Sequence, residues 1–199
     1  MKPTQTLQEP ETLDYLESAN LTSPEIQNLA TALTSGRNIT HLYLGGSLND
    51  RDFSFTDFQI FAKSLSENTT LEVLDLESCN IDPVRTVMLT LALATHPKLR
   101  ILNLAGNKIT DVAAEEIANL IAHNEVISKL VLERNHIGNE GARNLLTAAK
   151  DRTSLGIKLK GNPITDKSIL KEYKASRSSK TQGGESEKSI SHSDSARST

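Results

Sequence analysis

Leu99-Arg-Ile-Leu-Asn-Leu-Ala-Gly-Asn-Lys-Ile109 decides the architecture, because its spacing of apolar and asparagine positions returns on both sides of it. Leu71-Glu-Val-Leu-Asp-Leu-Glu-Ser-Cys-Asn-Ile81 precedes it and Ile127-Ser-Lys-Leu-Val-Leu-Glu-Arg-Asn-His-Ile137 follows. The second central leucine stands at 76, 104 and 132, so two independent and equal intervals give one period of twenty-eight. A fixed period of that length marks stacked supersecondary units. Further out the copies become ragged. Gly156-Ile-Lys-Leu-Lys-Gly-Asn-Pro-Ile164 sets Leu159 one residue short of a full period after Leu132. Ile39-Thr-His-Leu-Tyr-Leu44 sets Leu44 four residues more than a period before Leu76. Leu16 lies one period before Leu44, and Leu21 falls where Ile109 falls in its own unit, so residues 1–20 read as an N-terminal cap.

Between the leucine motifs the apolar spacing turns helical, as in Ala114, Ile117 and Ile121. Ala114 and Ile117 recur one period later as Ala142 and Leu145. Helix starts are marked by Ser23-Pro24-Glu25, by Asp82-Pro83 and by Thr110 or Asp111, and helix ends by Gly36, Asn68, His96 and Asn124. Each unit is thus a strand, a turn, a helix and a return. Neither half buries its apolar side alone, so the units must stack. Strands stack at about 4.7–4.9 Å and helices at about 8–10 Å, which bends the stack into a horseshoe with the strands inside.

The chain here resembles the ribonuclease-inhibitor-like class of leucine-rich repeats, whose long units carry a full α-helix and a Gly-Ala pair such as Gly141-Ala142. The resemblance runs from about Leu13 to Ala175, with residues 21–175 as the repeat domain. It implies an α/β solenoid with parallel strands on the concave face and helices on the convex face. It also implies protein recognition by the concave face, the property shared by the inhibitors, immune sensors, GTPase activator and bacterial effectors of that class.

Composition narrows the partners. A net charge of -3 with 22 basic and 25 acidic residues offers no basic field for nucleic acid or for an anionic membrane. No stretch is apolar for long enough to span a bilayer, and residues 1–19 lack a signal-peptide core. One cysteine closes no intramolecular disulfide, which fits a reducing, cytosolic setting. Without secretory entry, the glycosylation patterns at Asn20, Asn38 and Asn68 stay unmodified. The expected state is a monomer.

Catalytic and cofactor chemistry find no support. The five histidines sit at unrelated repeat positions, none paired at metal-ligand spacing, and no glycine-rich phosphate loop precedes a helix. No enzyme activity, cofactor or metal is expected. Cys79 takes the repeat position held elsewhere by Asn107, Asn135 and Asn162, which makes it a buried structural thiol. The first full unit carries four extra residues in 45–52, a bulging loop. All four phenylalanines lie near it, and register gives Phe53, Phe58 and Phe61 core positions while leaving Phe55 unassigned. Asp50, Asp52 and Ser54 have a calcium-like spacing but lack the central glycine and closing glutamate, so calcium is rejected.

Alternation along each strand sends the residue between the leucines outward. That column reads Tyr43, Asp75, Asn103, Val131, Lys158, and the one after the second leucine reads Gly45, Glu77, Ala105, Glu133, Lys160. Glu72, Asp75 and Glu77 are expected to form an acidic patch, and Arg134, Lys158 and Lys160 a basic one. With Tyr43, Asn103 and Glu133 these are the candidate partner-binding residues. The alternatives are a GTPase-activating or other regulatory role on a small GTPase, which would rest on Arg100 and Arg134, and an ordinary cytosolic adaptor. Residues 176–199 are rich in Ser, Lys and Glu, and are read as a disordered tail. That tail resembles the C-terminal signals of effectors exported by bacterial type IV secretion, which would place the action in a host cytoplasm.

Register makes a stability prediction. Leu104→Ala should cost about 2–5 kcal/mol through the cavity it opens between two regular units, while Lys108→Ala in the loop should cost under about 0.5 kcal/mol. Urea melts of the two variants decide it, and equal midpoints refute the register.

Overall fold

The computed structural model describes residues 11–14, 21–46, 48 and 54–178. Six parallel strands stand in sequence order in one sheet: β1 (Glu11–Asp14), β2 (Ile39–Tyr43), β3 (Val73–Asp75), β4 (Ile101–Asn103), β5 (Lys129–Val131) and β6 (Gly156–Lys158). A helix follows each: α1 (Ser23–Thr34), α2 (Phe55–Glu67), α3 (Pro83–Leu93), α4 (Asp111–His123), α5 (Asn139–Ala148) and α6 (Lys167–Ser178). Neighbouring helices pack in the same order. This is the expected α/β solenoid.

Strand pairing reproduces the leucine register. Leu42, Leu74, Leu102, Leu130 and Ile157 lie side by side, and the second row Leu44, Leu76, Leu104, Leu132 and Leu159 is equally buried. Helix residues such as Leu89, Ile117 and Leu145 close the same core from the other side. Phe58 and Phe61 are fully buried and meet edge to face, whereas Phe55 is exposed. Phe53 lies outside the described residues, but Leu48, within the inserted loop, is buried and fills part of the core there.

The ends differ in detail from the sequence pattern. β1 pairs Leu13 with Leu42 and Asp14 with Tyr43, with a bulge at Glu11/Thr12. That register is one residue away from the one that aligns Leu16 with Leu44, and Leu16 itself lies outside the described residues. The sheet therefore begins inside the segment read as a cap. At the other edge, the Leu159 N–H donates to the Tyr173 hydroxyl at 2.9 Å, so α6 covers a backbone donor next to β6. α6 runs to Ser178, three residues past the boundary drawn from composition, and the rest of the tail lies outside the described residues.

Two ladders of side chains hold the turns. At the strand exits, the Nδ2 groups of Asn107, Asn135 and Asn162 donate to the carbonyls of Leu76, Leu104 and Leu132 in the preceding unit, at 2.7–2.8 Å. Their Oδ1 atoms accept from Ile81, Ile109 and Ile137. Cys79 keeps half of this pattern: its buried Sγ donates to the Leu44 carbonyl at 3.0 Å. A thiol supplies no carboxamide oxygen, and the unit in front of it is the one with the four-residue insertion.

At the strand entrances a second ladder recurs at the same period: Asn68, His96, Asn124 and Arg152. Asn68 Nδ2 donates to the Leu33 carbonyl, and Asn124 Nδ2 to those of Leu93 and His96. Their Oδ1 atoms accept from the backbone two and three residues on. Arg152 ends the series by donating to the carbonyls of Ile121, Asn124, Glu125 and Ile127. His96 Nδ1 accepts from Leu99 N–H at 3.1 Å, and its Nε2 lies 3.4 Å from Asn68 Oδ1, which fits the neutral ring with the proton on Nε2.

Burial lowers the His96 pKa from 6.5 to about 4. The unfolded chain then takes up a proton between these values that the folded chain refuses, so stability falls as pH drops through 6.5 toward 4. His96→Asn reproduces the chemistry of Asn68 and Asn124 without the titration. We expect the native protein to lose about 2 kcal/mol more than His96→Asn between pH 7 and pH 5. Parallel pH dependence of their denaturation midpoints refutes this. Asp57 does not interfere in that window: burial pushes its carboxyl up, but hydrogen bonds from Ser54 and Ser23 outweigh this and hold it below the usual range.

Candidate functional site

Because one residue of each short strand points into the core, its two neighbours must point into the hollow of the horseshoe. The pairing places Tyr43, Asp75, Asn103, Val131 and Lys158 in one row, as their spacing predicts. A parallel row, His41, Val73, Ile101, Lys129 and Gly156, escapes the sequence pattern. Its valine and isoleucine look like core residues in a linear pattern, yet both are only half-buried. The available signal is their odd position beside each inward leucine. The ring centroids of His41 and Tyr43 lie 6.3 Å apart and form the aromatic end of the face on β2.

The acidic residues do not act as one group. Asn103 Nδ2 donates to Asp75 Oδ2 at 2.9 Å and to Glu77 Oε2 at 3.3 Å, tying those two carboxylates together. Asp75 Oδ1 also accepts from Glu77 N–H, and Asn103 Oδ1 from Ala105 N–H, which fixes both side chains against their own turns. Glu72 stands apart just before β3, at the opposite end of that strand from Glu77.

Arg134 leaves the expected basic patch. Its guanidinium reaches across two units to the Glu77 carboxylate and joins the Asp75–Asn103–Glu77 network. The unit between them carries the short Ala105 and Gly106 at the corresponding positions. Lys158 and Lys160 remain as the basic end, with Lys129 beside them in the neighbouring row, and Glu133 is half-buried next to Arg134. Arg100, the other arginine of the GTPase reading, is exposed just before β4, at the opposite end of the strands from Arg134. Among the described residues, no group of three or more His, Cys, Asp or Glu could hold a metal ion, and no helix is long and apolar enough to cross a membrane.

A family model described as Leucine Rich repeat matches residues 67–84, 95–118 and 123–146. The chain is a leucine-rich-repeat solenoid. The matched segments are the regular units, and the ragged ends fall outside them. Human NACHT, LRR and PYD domains-containing protein 5 is 28% identical over 135 residues, which cover 67% of this chain and 11% of that protein. The chain thus spans only a small part of that relative's length. Among solved structures, Leiomodin-1 Actin-Binding Site 2 superposes with a TM-score of 0.63 at 16% identity, over 82% of this chain and 92% of that one. The tropomodulin C-terminal domain of Caenorhabditis elegans gives 0.65 at 13% identity, over 79% and 94%. At such identities the two structures share the fold alone.

Within the leucine-rich-repeat solenoid, the turns after β2 to β6 each place a left-handed residue two positions past the second inward leucine, and the turn after β3 adds a second at Asn80. Gly46, Gly106 and Gly161 hold the shared position at φ of 73°, 67° and 80°, while Ser78 and Arg134 hold it at 55° and 54°. A side chain there works against backbone preference. Arg134 is thus kept in a strained place, and its pairing with Glu77 gives the side chain a role there. Arg134→Gly removes strain and ion pair together, whereas Arg134→Ala removes only the pair. We expect the glycine variant to be more stable than the alanine variant by about 1 kcal/mol, read from urea midpoints; an alanine variant of equal or greater stability refutes the assignment.

Proposed function

We propose that the chain is a non-enzymatic protein-binding module whose partner lies across the concave face, from His41 and Tyr43 on β2 to Lys158 and Lys160 at β6. Leucine-rich-repeat domains generally mediate protein–protein interaction. The observation that carries the reading is the outward row Val73–Ile101, flanked by aromatic rings on one side and by lysines on the other. Half-buried aliphatic side chains in a concavity supply contact area. The Asp75–Asn103–Glu77–Arg134 network beside them is already held in place, so little side-chain entropy remains to be lost on binding. The full helix in each unit and the Gly141-Ala142 pair support placing the chain with the ribonuclease-inhibitor-like class. The same proposal includes an export role for residues 176–199 in an effector acting in a reducing host cytoplasm, supported by their composition.

Partners captured from a cell lysate by the native chain should bind about tenfold or more weakly to Ile101→Glu and to Lys158→Glu/Lys160→Glu. Lys171→Glu, on the helical side, should leave capture unchanged. Full recovery of every partner by both concave variants would sink the concave-face proposal.

A further inference from the structure

The convex side shows a departure that the concave reading does not use. Four helical positions face outward in each unit, and on α3 they hold Val84, Val87, Met88 and Leu91. The same positions hold Gln27, Asn28 and Thr31 after Pro24 on α1, and Glu140, Arg143, Asn144 and Thr147 on α5. On α2 and α4 one of the four is apolar, Ile60 and Val112 respectively, and both helices flank α3. Val84 is 57% exposed, Leu91 71% and Val112 70%. The spacing 84, 87, 88, 91 is that of one helix face, on which Val84 and Leu91 lie open, Val87 is half-buried and Met88 leans against the core.

The charges beside the stripe point to its occupant. Lys63 stands exposed on α2, loosely paired with Glu67 of its own helix at 3.9 Å. Glu115 and Glu116 stand on α4, on the opposite side of the stripe. One lysine thus stands on one side of the apolar helix and two glutamates on the other. A two-fold axis parallel to α3 lays α3 on α3 and sets α2 of each copy over α4 of the other. Lys63 then faces Glu115 and Glu116 at heights about one helical turn, or about 5.4 Å, apart, within the reach of a lysine side chain.

We propose that two copies of this chain pair back to back through α3, with Val84, Val87 and Leu91 at the centre and Lys63 opposite Glu115 and Glu116 on each side. Curvature supports the arrangement. Two convex surfaces touch only along their crests, so one apolar helix with one apolar neighbour residue on each side is all that such a contact requires. The interface is small, which makes the dimer reversible. It replaces the monomer expected from the sequence and leaves both concave faces open, pointing away from each other.

The test is sedimentation of the full chain from about 1 μM to about 1 mM, the range of weak affinities. The weight-average mass should rise from 21.7 kDa toward twice that value and stop there. Leu91→Glu with Val84→Glu should abolish the rise while melting at the native temperature, since both side chains are exposed. Lys63→Glu should weaken pairing about tenfold, and adding Glu115→Lys and Glu116→Lys should restore it. A constant 21.7 kDa across the range overturns the proposal. So does growth beyond a dimer, a dimer unaffected by the α3 double variant, or a charge swap that fails to restore pairing.

Discussion

A strand of three residues makes a heavy demand on the chain at both of its ends. The backbone must enter and leave the sheet inside a dry core, and the amides and carbonyls freed at those bends have no water to satisfy them. The two side-chain ladders meet that demand. Asn107, Asn135 and Asn162 serve the exits, and Asn68, His96, Asn124 and Arg152 the entrances, each reaching into the preceding unit. Burying the leucines drives the stack together, but the ladders hold neighbouring units in register. Stability in such a chain is a sum over neighbours, and the ladders are part of what each neighbour contributes.

How much of this the sequence shows depends on whether a role keeps one chemistry. The exit ladder is legible because asparagine fills three of its four places, and the one departure, Cys79, is read correctly as buried from its position alone. The entrance ladder has the same period but uses asparagine, histidine and arginine in turn, so residue identity conceals what spacing would have shown. Asp111 teaches a related lesson. It reads as a helix start for α4, yet its Oδ1 accepts from Gly138 and Gly141 N–H at 2.6 and 3.1 Å and so caps α5. Asn139, one period on, accepts from Thr165 and Asp166 ahead of α6 in the same way. A cap that acts one unit away has no local signature. It also explains why residue 141 is glycine, since a Cβ there would lie 2.6 Å from Asp111 Oδ1 and 2.9 Å from Ala114 Cβ.

The candidate site divides along the same line. Its outward row was legible because strand alternation is a rule of period two, and Tyr43, Asp75, Asn103, Val131 and Lys158 fall where that rule puts them. The link between Glu77 and Arg134 was not legible, because it joins distant positions of the chain and skips a unit. Reading acid and base as two separate poles overlooked this link, which ties one acidic residue to one basic residue within the chain. The His41–Val73–Ile101–Lys129 row was hidden for the opposite reason: valine and isoleucine are what a buried position also selects, and only the pairing register tells the two apart.

Once inward positions and ladders hold the units, the outward positions of strand and helix are released from the fold, and each can vary without disturbing its neighbours. That freedom makes departures informative. A helix such as α5, with Glu140, Arg143, Asn144 and Thr147 outward, follows what solvent alone asks of a surface. A helix with Val84, Val87 and Leu91 there does not, since Val84 and Leu91 stay exposed among the described residues. The same logic applies in the hollow, where Ile101 and Val73 stay half-exposed although polar residues at those places would leave the sheet intact. Two faces of one solenoid thus carry apolar rows that the fold itself does not need, set back to back with a shared core between them. Neither has to change shape for the other to be occupied.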